Sequence, residues 1–281
     1  MSELVKRIII AIIGIPLIFF VVLSNGIYFF LFIIIISSIA LYEFYNIAKN
    51  KQQKPSAVIG IVFNLILLFL FYDSLELKLF DNLTQNIAAL LIISIVLTLL
   101  QQLFSKQTNI YENFGTTFGG ILYITIPMYI LLFFKYGLNI SYINNSYFIL
   151  CILCTIWVCD ISAFFIGKKI GKRKLLERVS PKKTIAGAVS GFIASVIFFL
   201  IAVRCVIPEL SFLHSLFLGI IIGTVGQLGD LIESKFKRDA KVKDSSNIIP
   251  GHGGILDRFD SLIYTIPIVF IYLYLFNFIV F

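Results

Sequence analysis

Nine stretches of this chain are apolar and long enough to cross a bilayer, and that pattern removes most fold classes at once. A helical crossing takes about 17–25 mostly apolar residues. Inside hydrocarbon the backbone must satisfy its own polar groups, which a helix does. The runs fall at about 8–24, 26–47, 57–72, 87–104, 117–135, 147–167, 185–207, 212–233 and 262–281. With 59% hydrophobic and only 14% charged residues in 281, almost nothing is left to build a domain outside the membrane. The first run follows Lys6 and Arg7 as a secretory signal would. No small-residue cleavage pattern follows it, however; the chain turns at Ser24-Asn25-Gly26 and re-enters an apolar run, so a retained helix is expected. The fold class expected is an all-α integral membrane protein with about nine transmembrane helices.

Charge sets the orientation. If the N-terminus is cytosolic, 20 of the 23 Lys and Arg fall in inner segments, and only Lys78, Lys135 and Arg204 fall outside. That asymmetry obeys the positive-inside rule and places the C-terminus outside. The net charge of +8 therefore reports topology and a phosphate-facing cytosolic surface. Nucleic acid is not an expected partner, because no basic nucleic-acid-binding fold accompanies the charge. Cys151, Cys154, Cys159 and Cys205 lie in or beside apolar runs and read as small packing residues, without a disulfide framework. The chain divides in this reading into N-terminal membrane helices, 1–146, and a C-terminal half, 147–281, of membrane helices joined by the most highly charged loops.

Functional chemistry concentrates in the stretch SKFKRDAKVKDSSNIIPGHGGILDRFDS, from Ser234 to Ser261. Charges beside lipid are costly unless they pair, bind ions or hold a polar ligand. Asp160 lies roughly 12 Å up its helix from Lys168, and Asp230 roughly 7 Å from Lys235, at ~1.5 Å per residue. Asp257 and Asp260 open the last helix, one turn apart on one face. Three helices thus bring acids to similar depth, which suggests a shared cation-binding or polar cavity. Lys237, Arg238, Lys241 and Lys243 offer charge-assisted donors to an anion, and Arg258 lies beside the acids. Pro250-Gly251-His252-Gly253-Gly254 is a glycine-rich entry to a helix, where backbone amides approach an oxyanion easily. Hard carboxylates beside phosphate-binding cations point to magnesium. The basic loop from Gly167 to Lys183 either holds anionic lipid or forms a wall for nucleotide phosphates. Gly187 with Gly191, and Gly219 with Gly223, are small-residue pairs that pack helices closely, either within one chain or across a homodimer.

In these residues the chain resembles the CDP-diacylglycerol synthases, or phosphatidate cytidylyltransferases. Their signature is met over 27 residues at Ser234, Phe236, Lys237-Arg238, Lys243-Asp244, Ser246, Ile249-Pro250, His252-Gly253-Gly254, Ile255, Asp257-Arg258, Phe259 and Asp260. Gly229-Asp230-Leu231, Asp160-Ile161-Ser162-Ala163 and Ser180-Pro181-Lys182-Lys183-Thr184 also look like the family. Two departures are Ile185-Ala186 where many relatives have Trp-Glu, and Ile161 where many have Thr.

The resemblance implies that CTP and phosphatidate react to CDP-diacylglycerol and pyrophosphate with magnesium, at the cytosolic face of a bacterial plasma membrane. It implies Asp230 and Asp257 as metal ligands, with a second, monovalent cation close by. Lys243 and Asp260 would join those two in catalysis. Substrate contacts would come from Asp160, Ser180, Lys183, Thr184, Ser234, Lys237, Arg238, Asp244, His252, Gly253, Gly254 and Arg258. Two alternatives stand beside this: an enzyme of the same kind or kinase-like acting on another lipid alcohol or phosphate, and an ion-coupled transporter. Against the transporter, the acids sit in one leaflet and no inverted repeat of broken helices is visible.

Overall fold

The computed structural model describes residues 3–24, 27–106, 109–138, 143–249, 251 and 253–279, with side chains described from Ile10 onward. Its elements are α1 (Glu3–Leu23), α2 (Ile27–Lys49), α3 (Ala57–Tyr72), α4 (Leu83–Phe104), α5 (Ile110–Gly120), α6 (Ile126–Leu132), α7 (Asn145–Ile170), β1 (Lys174–Leu176), β2 (Ser180–Thr184), α8 (Ile185–Val206), α9 (Phe212–Asp239) and α10 (Leu256–Leu275). Eight helical stretches among the described residues are long and apolar enough to cross a membrane, and Ile10–Leu23 adds a shorter one. Each expected span has its helix. The protein is an all-α integral membrane protein apart from one small hairpin.

Helix ends depart from the apolar runs where polar residues find partners. The fifth crossing begins at Ile110 rather than near 117 and continues to Gly137, through α5, a π turn, α6 and a second π turn. Its first turns hold Asn113 and Thr117, which are buried. Asn113 donates to Gln102 (3.1 Å) and accepts from the Lys54 amide (2.7 Å), and Thr117 Oγ1 accepts from the Ser56 amide (2.9 Å). Buried polar groups so satisfied are tolerable in a membrane helix. The π turn at Ile121–Thr125 contains Tyr123, whose carbonyl Pro127 would strike in a regular helix. Likewise α9 runs on to Asp239, because Lys237 reaches back one turn to Glu233 and keeps the charged end helical. The last helix starts at Leu256, so Asp257 and Asp260 do open it ahead of the apolar run from 262, and it ends at Leu275.

The chain forms two compact units, one of residues 1–137 with 239–258, the other of 138–238 with 259–281. In the first, Tyr45 of α2 is fully buried and donates its hydroxyl to the Thr117 carbonyl at 2.8 Å. Its ring fills the place of a side chain at two glycines. A Cβ at Gly60 or at Gly120 would lie 2.7–2.8 Å from ring carbons. Glycine at 60 and 120 is thus what lets α3 and α5 close on α2.

In the second unit α7, α8 and α9 pack through small residues. A Cβ on Gly187 would lie 2.6 Å from the Ala163 carbonyl, and one on Gly191 would lie 2.8 Å from that of Cys159. On α9, a Cβ at Gly219 would lie 3.2 Å from the Val196 Cα, and one at Gly223 would overlap the Ser195 hydroxyl. Both small-residue pairs therefore serve contacts within the chain. The basic loop after α7 folds into the antiparallel hairpin of β1 and β2, which apolar periodicity does not announce. It is anchored by Val179, 2% exposed at its turn, and by the Ile185 amide on the Arg173 carbonyl.

Candidate active site

In the second unit, Asp230 lies on α9 one turn before Ser234, and one carboxylate oxygen accepts the Ser234 hydroxyl at 3.2 Å. Its other oxygen meets Lys183 Nζ at 2.6 Å, with both side chains about 30% exposed (29% and 31%). Lys183 reaches it because the hairpin is held at a crowded joint. Thr184 caps α8, its hydroxyl accepting the Gly187 amide at 3.1 Å. A Cβ on Gly167 would lie 2.9 Å from that hydroxyl, and one on Gly171 would overlap it. Only glycines leave room for Thr184 there. The turn of the hairpin is tied to α9 by Arg238, whose Nε donates to the Val179 carbonyl at 3.3 Å.

Two further acids share this unit. Asp260 is buried, and its carboxylate accepts the Ser261 amide at 2.5 Å. Its carbonyl would lie 2.8 Å from a Cβ at Gly229, so glycine there lets α10 approach α9 beside Asp230. The charges of Asp230 and Asp160 both reach it. Asp160 itself is exposed on α7, and Ser180 opens β2 half-buried. One turn past Asp230, Glu233 is fully buried and pairs with Lys237, itself 8% exposed. Lys237 is thereby a fixed cation with a protein counter-ion.

In the first unit, Asp257 opens α10 and gathers the signature loop. One oxygen, Oδ2, accepts the Ser245 amide (2.9 Å), the Ser245 hydroxyl (2.8 Å) and the Gly254 amide (2.7 Å). Gly253 has φ +83°, in the left-handed region where glycine is favoured, and a Cβ there would lie 2.6 Å from Asp257 Oδ2. Its carbonyl accepts the Ile249 amide at 2.9 Å, closing the loop. Lys243, Asp244 and Arg258 are exposed around it. His252, with Pro250, lies outside the described residues. The amides of Gly254, Ile255 and Leu256, the helix entry that the sequence offers to an oxyanion, are directed at protein carboxylates.

One residue here escapes the motifs. Glu43 of α2 is fully buried and accepts the Ser245 and Ser246 hydroxyls (3.1 and 2.5 Å) and the Ile255 and Leu256 amides (3.1 and 2.7 Å). The signal was present in the sequence: a carboxylate within an apolar span marks a function or a partner.

Among the described residues no three His, Cys, Asp or Glu side chains gather as a ready-made metal cage. Magnesium does not need such a cage, since it usually takes only one or two carboxylates plus waters and substrate phosphates. Asp230, with the Ser234 hydroxyl and the Lys183 ammonium as its neighbours, fits such a hard-oxygen ligand. Asp257 lies in the other unit, its Oδ2 already accepting three donors.

Acids, paired lysines and glycine-fixed turns at the ends of membrane helices mark a polytopic membrane protein with a polar, charged site. The chain belongs to the cytidylyltransferase family, whose model matches residues 5–276. It is 31% identical to the phosphatidate cytidylyltransferase of Bacillus subtilis (strain 168) over 282 residues, covering 99% of this chain and 100% of that relative. The phosphatidate cytidylyltransferase of Synechocystis sp. is 32% identical, covering 96% of each chain. That of Staphylococcus saprophyticus is 33% identical, covering 89% of this chain and 91% of the relative.

Proposed function

We propose that the protein transfers the cytidylyl group of CTP to phosphatidate, giving CDP-diacylglycerol and pyrophosphate for phospholipid synthesis. The observation that supports this best is similarity along whole chains to phosphatidate cytidylyltransferases. The residues suit the chemistry. A lipid phosphate monoester has its second pKa near 6 and is mostly a dianion at neutral pH. One of its oxygens bonds to the α-phosphorus of CTP, the bond from that phosphorus to the β-phosphate oxygen breaks, and pyrophosphate leaves with the electron pair. No Ser, Cys or His nucleophile is required. What the protein must supply is neutralisation and alignment of two anions.

Lys183 and Lys237 are suited to that task, because each is already held in place by a carboxylate. Arg238, tied to the hairpin, positions Lys183 through Val179. Asp230 is proposed as a magnesium ligand, and Asp257, considered within its own unit, is likewise a proposed ligand. Magnesium, when bound, supplies charge that offsets the phosphates and the leaving pyrophosphate. The orientation proposed is N-terminus and signature loop in the cytosol, C-terminus outside, in a bacterial plasma membrane. CTP then arrives from water and phosphatidate from the bilayer.

Pyrophosphate release from purified protein in mixed micelles tests the assignment. Release should require both CTP and phosphatidate. Equal or faster release with a polyprenyl phosphate would transfer the activity to another lipid phosphate, and release without any lipid would end the proposal.

A further inference from the structure

We infer that Glu43 is a positioning residue for the signature loop, acting on Asp257 through the Ser245 hydroxyl. This rests on the reading of Asp257 as part of the cytidylyltransferase machinery. Glu43 stands outside every recognised motif and is 202 positions from Ser245 in the chain.

A carboxylate at 0% exposure in an apolar helix is costly unless it is fully hydrogen-bonded. Four described donors reach it: two serine hydroxyls and two consecutive amides. Three of these protons are Glu43's own and the Ser245 proton is shared with Asp257, so most of the about four sites of an ionised carboxylate are used on the protein and not on substrate. These donors come from both ends of the loop. Ser245 and Ser246 lie before the glycine-rich turn, and Ile255 and Leu256 at the first turn of α10, where amides lack helical partners. One buried charge therefore clamps the two ends of the segment together.

The clamp extends to Asp257. The Ser245 hydroxyl lies 3.1 Å from Glu43 and 2.8 Å from Asp257, with one proton to give. Asp257 Oδ2 already receives the Ser245 and Gly254 amides, so a carboxylate at 43 fixes the serine whose main chain holds Asp257. Gly254 confirms how tight the junction is. A Cβ there would lie 2.5 Å from both Glu43 oxygens. Glu43 touches no reacting atom in this scheme; it orients a residue that does.

The test uses the full-length purified protein with Glu43→Gln, which keeps size but turns half of the carboxylate into a donor. We expect kcat to fall about 10- to 100-fold, as supporting residues of a ligand do, with KM for each substrate within about twofold. Trypsin cleavage at the exposed Lys241 and Lys243 should quicken severalfold in the folded protein. Ser245→Ala should lower kcat as well, and the double variant should be no worse than the worse single one, because both act through one contact. If Glu43→Gln does not accumulate in the membrane, Ser246→Ala removes one donor and is read the same way, with a smaller loss expected. Unchanged trypsin cleavage, or kcat losses that multiply in the double variant, would overturn the inference. Should wild-type protein not transfer cytidylyl groups at all, the proposed function fails, while the trypsin comparison still decides whether Glu43 holds the loop.

Discussion

Asp230→Asn separates a carboxylate needed for chemistry from one needed for folding. Asn keeps the shape, but its single acceptor oxygen can serve only one of Ser234 and Lys183, which lie 3.2 and 2.6 Å from different carboxylate oxygens in the wild type. What is lost is the charge and one acceptor. The ion pair is about 30% exposed on each side (29% and 31%), between a surface pair and a buried one. Exposed pairs contribute about 0–1 kcal/mol, and breaking a buried one costs about 3–5 kcal/mol. A cost of roughly 1–2 kcal/mol follows for this intermediate case, discounted toward the exposed value for solvent screening. For a chain of this size that lowers Tm by only about 2–8 °C. Activity should respond on another scale. Losing several kcal/mol of transition-state charge stabilisation lowers the rate roughly 10^2- to 10^4-fold. The assay pairs thermal unfolding in detergent with turnover of CTP at saturating magnesium. A variant that retains more than about a tenth of wild-type turnover would remove Asp230 from the chemistry, since a tenfold loss is only about 1.4 kcal/mol.

Two further expectations can be checked with less effort. Gly187→Ala should lower Tm and activity together, because its Cβ would press 2.6 Å from the Ala163 carbonyl, whereas Gly115→Ala has nothing within 4 Å and should leave both near wild type. For orientation, single cysteines at the exposed positions Glu209 and Lys172, in a protein with Cys205 changed to Ser, should differ: Glu209→Cys labels from outside intact cells and Lys172→Cys only after permeabilisation. Labelling of both from outside would contradict the nine-span orientation.

The helices were legible because lipid makes one demand of every span, and long apolar runs meet it in only one way. Their ends were less legible. The apolar run of the last helix begins only at 262, and its true start at Leu256 was legible from Asp257 and Asp260 instead; there Asp257 and Glu43 accept the amides that no apolar scan counts. The same blindness left Asn113, which faces polar partners within the bundle, outside the expected fifth span. The joint at Thr184 could be suspected from its motif, but not the hairpin that delivers Lys183 to Asp230, which depends on a pairing between β1 and β2 that no turn signal marks. Glu43 was hidden for a different reason. Its partners lie some 200 positions away, and one charge in an apolar run does not say which loop it will meet.

Cytidylyl transfer at the α-phosphorus can be tested by where label goes. Purified protein is given phosphatidate and CTP carrying phosphorus label at either the α or the γ position. The α label should move into a chloroform-extractable lipid that co-migrates with CDP-diacylglycerol, and the γ label should stay in water as pyrophosphate. Label from the γ position in the lipid would mean phosphoryl transfer by a kinase-like enzyme, and would contradict the proposed reaction directly.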